Sequence, residues 1–133
     1  MLVRPVQTED LPQCDALCRR VHGYDRGGLL RACMTGFRPQ ALTRDGRITA
    51  YCSAPSFFVF NYGVGETEHD LRSLLLGASA TAEQPLSLLV PTRRTALFRW
   101  LLSEGLQITK PMTLMAIGDY REPVGAFYPS VSY

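Results

Sequence analysis

Residues Pro85 to Leu106 read PLSLLVPTRRTALFRWLLSEGL, a short apolar run, a proline exit, a helical pattern and a glycine stop. Leu86 to Val90 has the length and composition of a core strand. Pro91 ends it, because proline brings no ladder donor. Helical spacing follows: Leu97 and Leu101, flanked by Phe98 and Trp100, form one broad apolar face, while Arg93, Arg94, Arg99 and Glu104 point to water. Gly105 fits the left-handed residue that closes a helix. From Leu106 to Ile117 the chain reads as extended, running through Lys110-Pro111 into MTLMAI.

Toward the N-terminus, Thr67-x-x-Asp70 fits a capping box and opens a helix with Leu71, Leu74, Leu75 and Ala78 on one side. Ahead of it lies an aromatic run from Phe57 to Asn61, read as a central strand, and then Tyr62-Gly63-Val64-Gly65. Arg44-Asp45-Gly46 separates two extended runs, Gln40 to Thr43 and Arg47 to Cys52, and Asp-Gly in that setting marks a β-hairpin. A strand from Leu2 to Val6 opens the chain. Thr8 then starts a helix with Leu11, Cys14, Leu17, Cys18 and Val21 on its apolar side, and a second, short helix is expected between Arg26 and Met34, closed by Gly36.

The chain has 133 residues, 46% of them hydrophobic, which is enough for one core and short for two, so a single domain over residues 1–133 is expected. A net charge of +2, with acids and bases interspersed, gives no basic stripe of the kind nucleic acid requires. No apolar run reaches the roughly 18 residues of a membrane helix, and MLVRPVQTED lacks the layout of a signal peptide. A cytoplasmic protein with no nucleic-acid or membrane partner is the expectation. The four cysteines, Cys14, Cys18, Cys33 and Cys52, read as small core residues. His22 and His69 stand at no zinc-like spacing from a cysteine pair, so no metal is expected.

This order of elements, together with VRPVQTEDLPQCDALCRRVHGYDR at the start and VPTRRTALFRWLLSEGL near the end, resembles the GNAT acyltransferase family across nearly the whole chain. The opening matches the family's R-P-x-x-x-x-D-L-P start. The later segment follows its V-P-x-x-N, helix and G-F pattern, with Arg94 in the Asn place, Leu101 in the Tyr place and Gly105-Leu106 at the end. The resemblance implies an α/β (α+β) fold, a GNAT-like mixed β-sheet flanked by helices on both faces. In it the strands at Phe57 to Asn61 and Leu86 to Val90 would lie parallel and splay around a cofactor.

The activity implied is acyl-CoA-dependent N-acyl transfer to an amine, with the acetyl-CoA pyrophosphate on the loop after the fourth strand. Here that loop is Phe60, Asn61, Tyr62, Gly63, Val64 and Gly65, which keeps a G-x-G without the family's upstream Gln or Arg. Arg93 and Arg94, on the first turn of the later helix, are the remaining candidates for cofactor contact, since a guanidinium can hold a phosphate with two donors. Glu66, Glu68 and Asp70 crowd the first turn of the preceding helix and oppose an anion there, so weak or absent binding of acetyl-CoA is expected. Leu101 cannot donate a proton. The general acid is unassigned among Tyr62, Tyr120, Tyr128 and Tyr133, and neither Glu66 nor His69 is placed as a base.

Two further readings come from the residues alone. Phe57, Phe58, Phe60, Met112 and Met115 carry core-like spacing, and packing is favoured over a ligand pocket. The aromatic tail from Tyr120 to Tyr133 fits burial against a second copy or a sister domain, making a homodimer the expected assembly. The alternative to catalysis is a degenerate GNAT-like domain serving as a dimerisation, packing or ligand-sensing module.

Overall fold

In the computed structural model, which describes residues 1–113, 118, 123 and 125–131, strand β1 (Leu2–Pro5) leads through a 3-10 turn (Thr8–Asp10) into helix α1 (Leu11–His22). Asp10 fixes this entry. It accepts from the Gln7 backbone N–H at 2.7 Å and holds the Arg4 guanidinium at 2.6 and 2.9 Å. Pro12 falls in the first turn, where its missing N–H has no helical partner to lose. Gly23 closes α1 at φ 83°, and α2 (Gly27–Cys33) follows.

The hairpin read from Asp45-Gly46 forms between β2 (Gln40–Arg44) and β3 (Arg47–Cys52), with both turn residues at positive φ. Its register shifts between Leu42 and Thr43, leaving Thr49 as the extra residue of a β-bulge. The bulge decides which face each side chain joins. Ile48 packs on the α1 side and Ala50, two residues on, packs on the other. Gln13 Oε1 accepts the Ile48 N–H at 3.1 Å, tying the bulge to α1.

Strand β4 (Gly63–Gly65) precedes α3 (Glu68–Thr81), then come α4 (Thr95–Ser103) and β5 (Ala126–Tyr128). The sheet runs in the order β1-β2-β3-β4-β5, and every described pair is antiparallel. Helices cover both faces. Leu17, Cys18 and Leu30 from α1 and α2 meet Ala41, Tyr51, Val64 and Phe127, while Leu71, Leu74, Leu97 and Leu101 from α3 and α4 meet Leu42, Cys52 and Tyr128. This is the α/β class with two helical layers that the sequence predicts.

Two expected strands are not formed, so the mixed pairing is replaced by an antiparallel ladder among the described residues. The stretch 57–60 folds into turns, with the Phe57 and Phe60 N–H groups bonded locally to Ala54 and Phe57 carbonyls. The stretch 86–90 joins no ladder, and the parallel pair predicted between the two is absent. The edge of β4 that it would need is occupied by β5. Prolines at 85 and 91 remove donors at both ends, and Ser87 is held by loop contacts instead. Of the predicted strand at MTLMAI, Met112 and Thr113 join no strand and Leu114 to Ile117 lie outside the described residues; within the aromatic tail Ala126–Tyr128 form β5, while residues 120–122, 124, 132 and 133 lie outside the described residues.

Candidate functional site

The corner where β4 enters α3 is filled by the protein's own groups. Thr67 caps α3, its Oγ1 accepting the Asp70 N–H at 3.1 Å, and Asp70 binds Arg44 Nε at 2.5 Å. Glu66 pairs with Arg47 and Arg20, and Glu68 with Arg72 at 2.8 Å. The Glu66 N–H goes to the Thr49 carbonyl at 2.8 Å. The acids expected to repel a phosphate are thus matched by arginines, and the Glu66, Asp70 and Leu71 backbone N–H groups are already in use.

The predicted G-x-G loop is a strand. Gly63, Val64 and Gly65 lie in β4 between β3 and β5, with their backbone in the ladder. Packing explains the glycines: a Cβ on Gly63 would sit 2.0 Å from the Tyr128 ring, and one on Gly65 3.0 Å from the Thr67 carbonyl oxygen. Asn61 is fully buried and acts as a clamp. Its Oδ1 accepts from the Tyr128 hydroxyl at 2.9 Å, and its Nδ2 donates to the Ser87 carbonyl at 2.9 Å, fastening β5 and the 86–90 stretch to β4. Phe60 stacks in an aromatic group with Phe37 and Phe57. Tyr62 is buried, its hydroxyl 3.1 Å from that of Tyr51 and its ring under the Arg26 guanidinium.

Burial of the phenols pushes Tyr51, Tyr62 and Tyr128 well above the usual tyrosine range, which removes them from acid–base work near neutrality. Burial likewise raises the Cys14 and Cys52 thiols to about 12, so they are not nucleophiles. His22, against Tyr24 and the edge of Phe127, is held down to about 4 by burial first and then by the Arg26 charge. Glu66 is ion-paired and His69 is exposed on α3. Tyr120 and Tyr133 lie outside the described residues.

Beyond the clamp the molecule opens. A cleft of about 610 Å³ lies between the 87–93 stretch, α4, residues 106–113 and the end of β5. Leu88, Val90, Phe98, Leu101 and Phe127 form its inner wall. Arg93 and Lys110 are the charged side chains lining it, and no described lining residue is acidic. Arg94 is turned aside: its Nη2 donates to the Pro123 carbonyl at 3.4 Å and its guanidinium lies 4.6 Å from the Phe127 ring centre. Of the predicted cofactor contacts, then, Arg93 lines the cleft, Arg94 braces its wall, and residues 60–65 hold the frame behind it.

No family model matches the chain, and neither does any curated protein. Among solved structures it is similar to TTHA1254 from Thermus thermophilus. The wild-type structure aligns with a TM-score of 0.58 at 16% identity, covering 91% of this chain and 100% of that one. A point mutant of the same protein aligns at 0.59 with the same identity and coverage. The likeness is one of fold. Among the described residues no helix is long and apolar enough to cross a membrane, and no group of three or more His, Cys, Asp or Glu is placed to hold a metal ion.

The sequence missed the cleft because its marker was distributed. Leu102, Ile108, Met112 and Val131 are 42%, 65%, 52% and 45% exposed, and all line it. Met112, read as a core filler, is one of them.

Proposed function

We propose that this chain is a GNAT-like domain for acyl-CoA-dependent N-acyl transfer, with the acyl-bearing arm of the donor held in the cleft rather than its phosphates at the α3 N-terminus. One observation carries this: the apolar cleft beside α4, with Arg93 and Lys110 and no described acid in its lining. Such a lining suits a long apolar group with an anionic handle. The donor supplies an activated thioester. The protein's part is to orient it, keep water from its apolar portion and hold the negative end near Lys110. No described lining residue is placed as a general base or acid, so transfer rests on positioning and on an amine that arrives neutral.

The capped α3 N-terminus makes phosphate binding weak, since exposed cationic contacts contribute less than about 1 kcal/mol each. Thermal melting with acetyl-CoA, joined to a thiol-release assay over a panel of amines, tests the reading. Saturable stabilisation that falls in the Arg93→Ala, Lys110→Ala double variant, with amine-dependent thiol release, is the expected result. Absence of binding by acetyl-CoA and by longer-chain acyl-CoA alike at millimolar concentration would sink it.

A second reading, a ligand-sensing domain without catalysis, is favoured by the burial of Tyr51, Tyr62 and Tyr128, none of which lines the cleft. Binding without thiol release for any amine selects it.

A further inference from the structure

We infer that the cleft selects an acyl group several carbons longer than acetyl. The inference rests on the acyl-CoA reading above and concerns the donor's acyl chain.

The first ground is size. About 610 Å³ equals the room of roughly twenty waters, far more than a two-carbon group fills. The second is the character of the walls. Leu88, Val90, Phe98 and Leu101 line the interior without a charged group among them, so the depth offers an acetyl carbonyl no dedicated partner while rewarding every methylene it covers. The third is the mouth. Leu102, Ile108, Met112 and Val131 are large apolar residues left in water, and an acyl chain covers that surface where an acetyl group leaves it wet. Charge sets the direction of entry: Lys110 lines the cleft and none of the described lining residues is acidic, which favours an anionic head over a cationic one.

Burial of one methylene is worth about 0.8 kcal/mol, close to a fourfold change in affinity. Partial exposure at the mouth lowers this to roughly twofold or more per methylene. From acetyl-CoA to octanoyl-CoA the dissociation constant is therefore expected to fall by roughly 10²- to 10³-fold, flattening once the chain reaches past the mouth.

The experiment measures binding of acetyl-, butyryl-, hexanoyl-, octanoyl- and dodecanoyl-CoA, below their micellar concentrations, to the full chain and to Leu102→Gln and Leu88→Gln variants. Free octanoate forms a parallel arm, and melting temperatures confirm that each variant is folded. The expected result is a steep rise to octanoyl, shallower in both variants. Leu102 is exposed, so its variant tests the cleft even if Leu88→Gln fails to fold. A flat chain-length dependence, with acetyl-CoA bound and turned over, overturns this inference and leaves the acyltransferase reading standing. A steep dependence for acyl-CoA with octanoate also bound, and no transfer to any amine, upholds the chain selectivity and removes the acyltransferase reading. No binding by any probe overturns the inference.

Discussion

The two ends of the segment that follows β4 treat their exposed chemistry in opposite ways. At the α3 N-terminus the acidic side chains are engaged: Thr67 caps the helix, Asp70 holds Arg44, and Glu66 holds Arg47 and Arg20. At the cleft beside α4 the reverse holds, and large apolar side chains stand in water. Polar satisfaction on one side and unsatisfied apolar surface on the other distinguish a corner built for stability from one built to receive something. The G-x-G run lies at the first, and the open apolar cleft forms the second.

The contrast is most open to failure at Gly63. If β4 is a packed strand, then Gly63→Ala drives a methyl group into the Tyr128 ring, which is fully buried and tied to Asn61. Overpacking of that kind costs about 3 kcal/mol or more, and the expected fall in melting temperature is roughly 10 °C. A variant as stable as wild type would mean that the Gly63 region is a pliable loop after all, and the closed corner would lose its main support.

What the sequence reveals follows the range of the interaction behind each feature. Thr67 as a cap, Gly105 as a stop and Asp45-Gly46 as a turn were legible because each depends on residues within four positions. The bulge at Thr49 was not, since it is fixed by Gln13, 35 positions from Ile48. Gly63 was read as a phosphate loop because its real constraint, the Tyr128 ring, comes from the far end of the chain. Leu86 to Val90 has the composition of a core strand, but pairing depends on which segment reaches the β4 edge first in space. The aromatic β5 takes that place. The site was half visible: Arg93 was identified, while the cleft is assembled from distant segments whose residues, taken one by one, look like core.

Phe127 walls the cleft, with His22 at its edge and Arg94 over its ring. His22 makes that wall sensitive to pH. Its folded pKa is lowered from 6.5 to about 4, so the unfolded chain binds the extra proton first. Stability is full above about pH 6.5 and is lost as pH falls toward 4. The loss between pH 7 and pH 5 is about 2 kcal/mol. His22→Phe has no proton to take up, and its stability should be flat over that range in urea titrations. An equally steep decline in the variant would place the titrating group elsewhere and leave Phe127 without a charged neighbour of variable state.

The mildest substitutions are the most telling for the cleft. Leu102 and Met112 are 42% and 52% exposed, so replacing either with glutamine removes little buried apolar area. Substitutions at such positions fall within about 0.5 kcal/mol of wild type, in contrast to the several kcal/mol expected for an apolar side chain lost from a packed core. Urea titration of Leu102→Gln, Met112→Gln and their double variant measures this directly, and the two single effects should add if neither contacts a common partner. A change near zero means that the cleft is open in solution and its apolar lining is available to a ligand. A loss of about 2 kcal/mol or more, well beyond the surface range, or strong coupling between the two positions, would show that another part of the chain or a second copy already covers these side chains. The cleft would then be one more closed corner, and the contrast between the two ends would disappear.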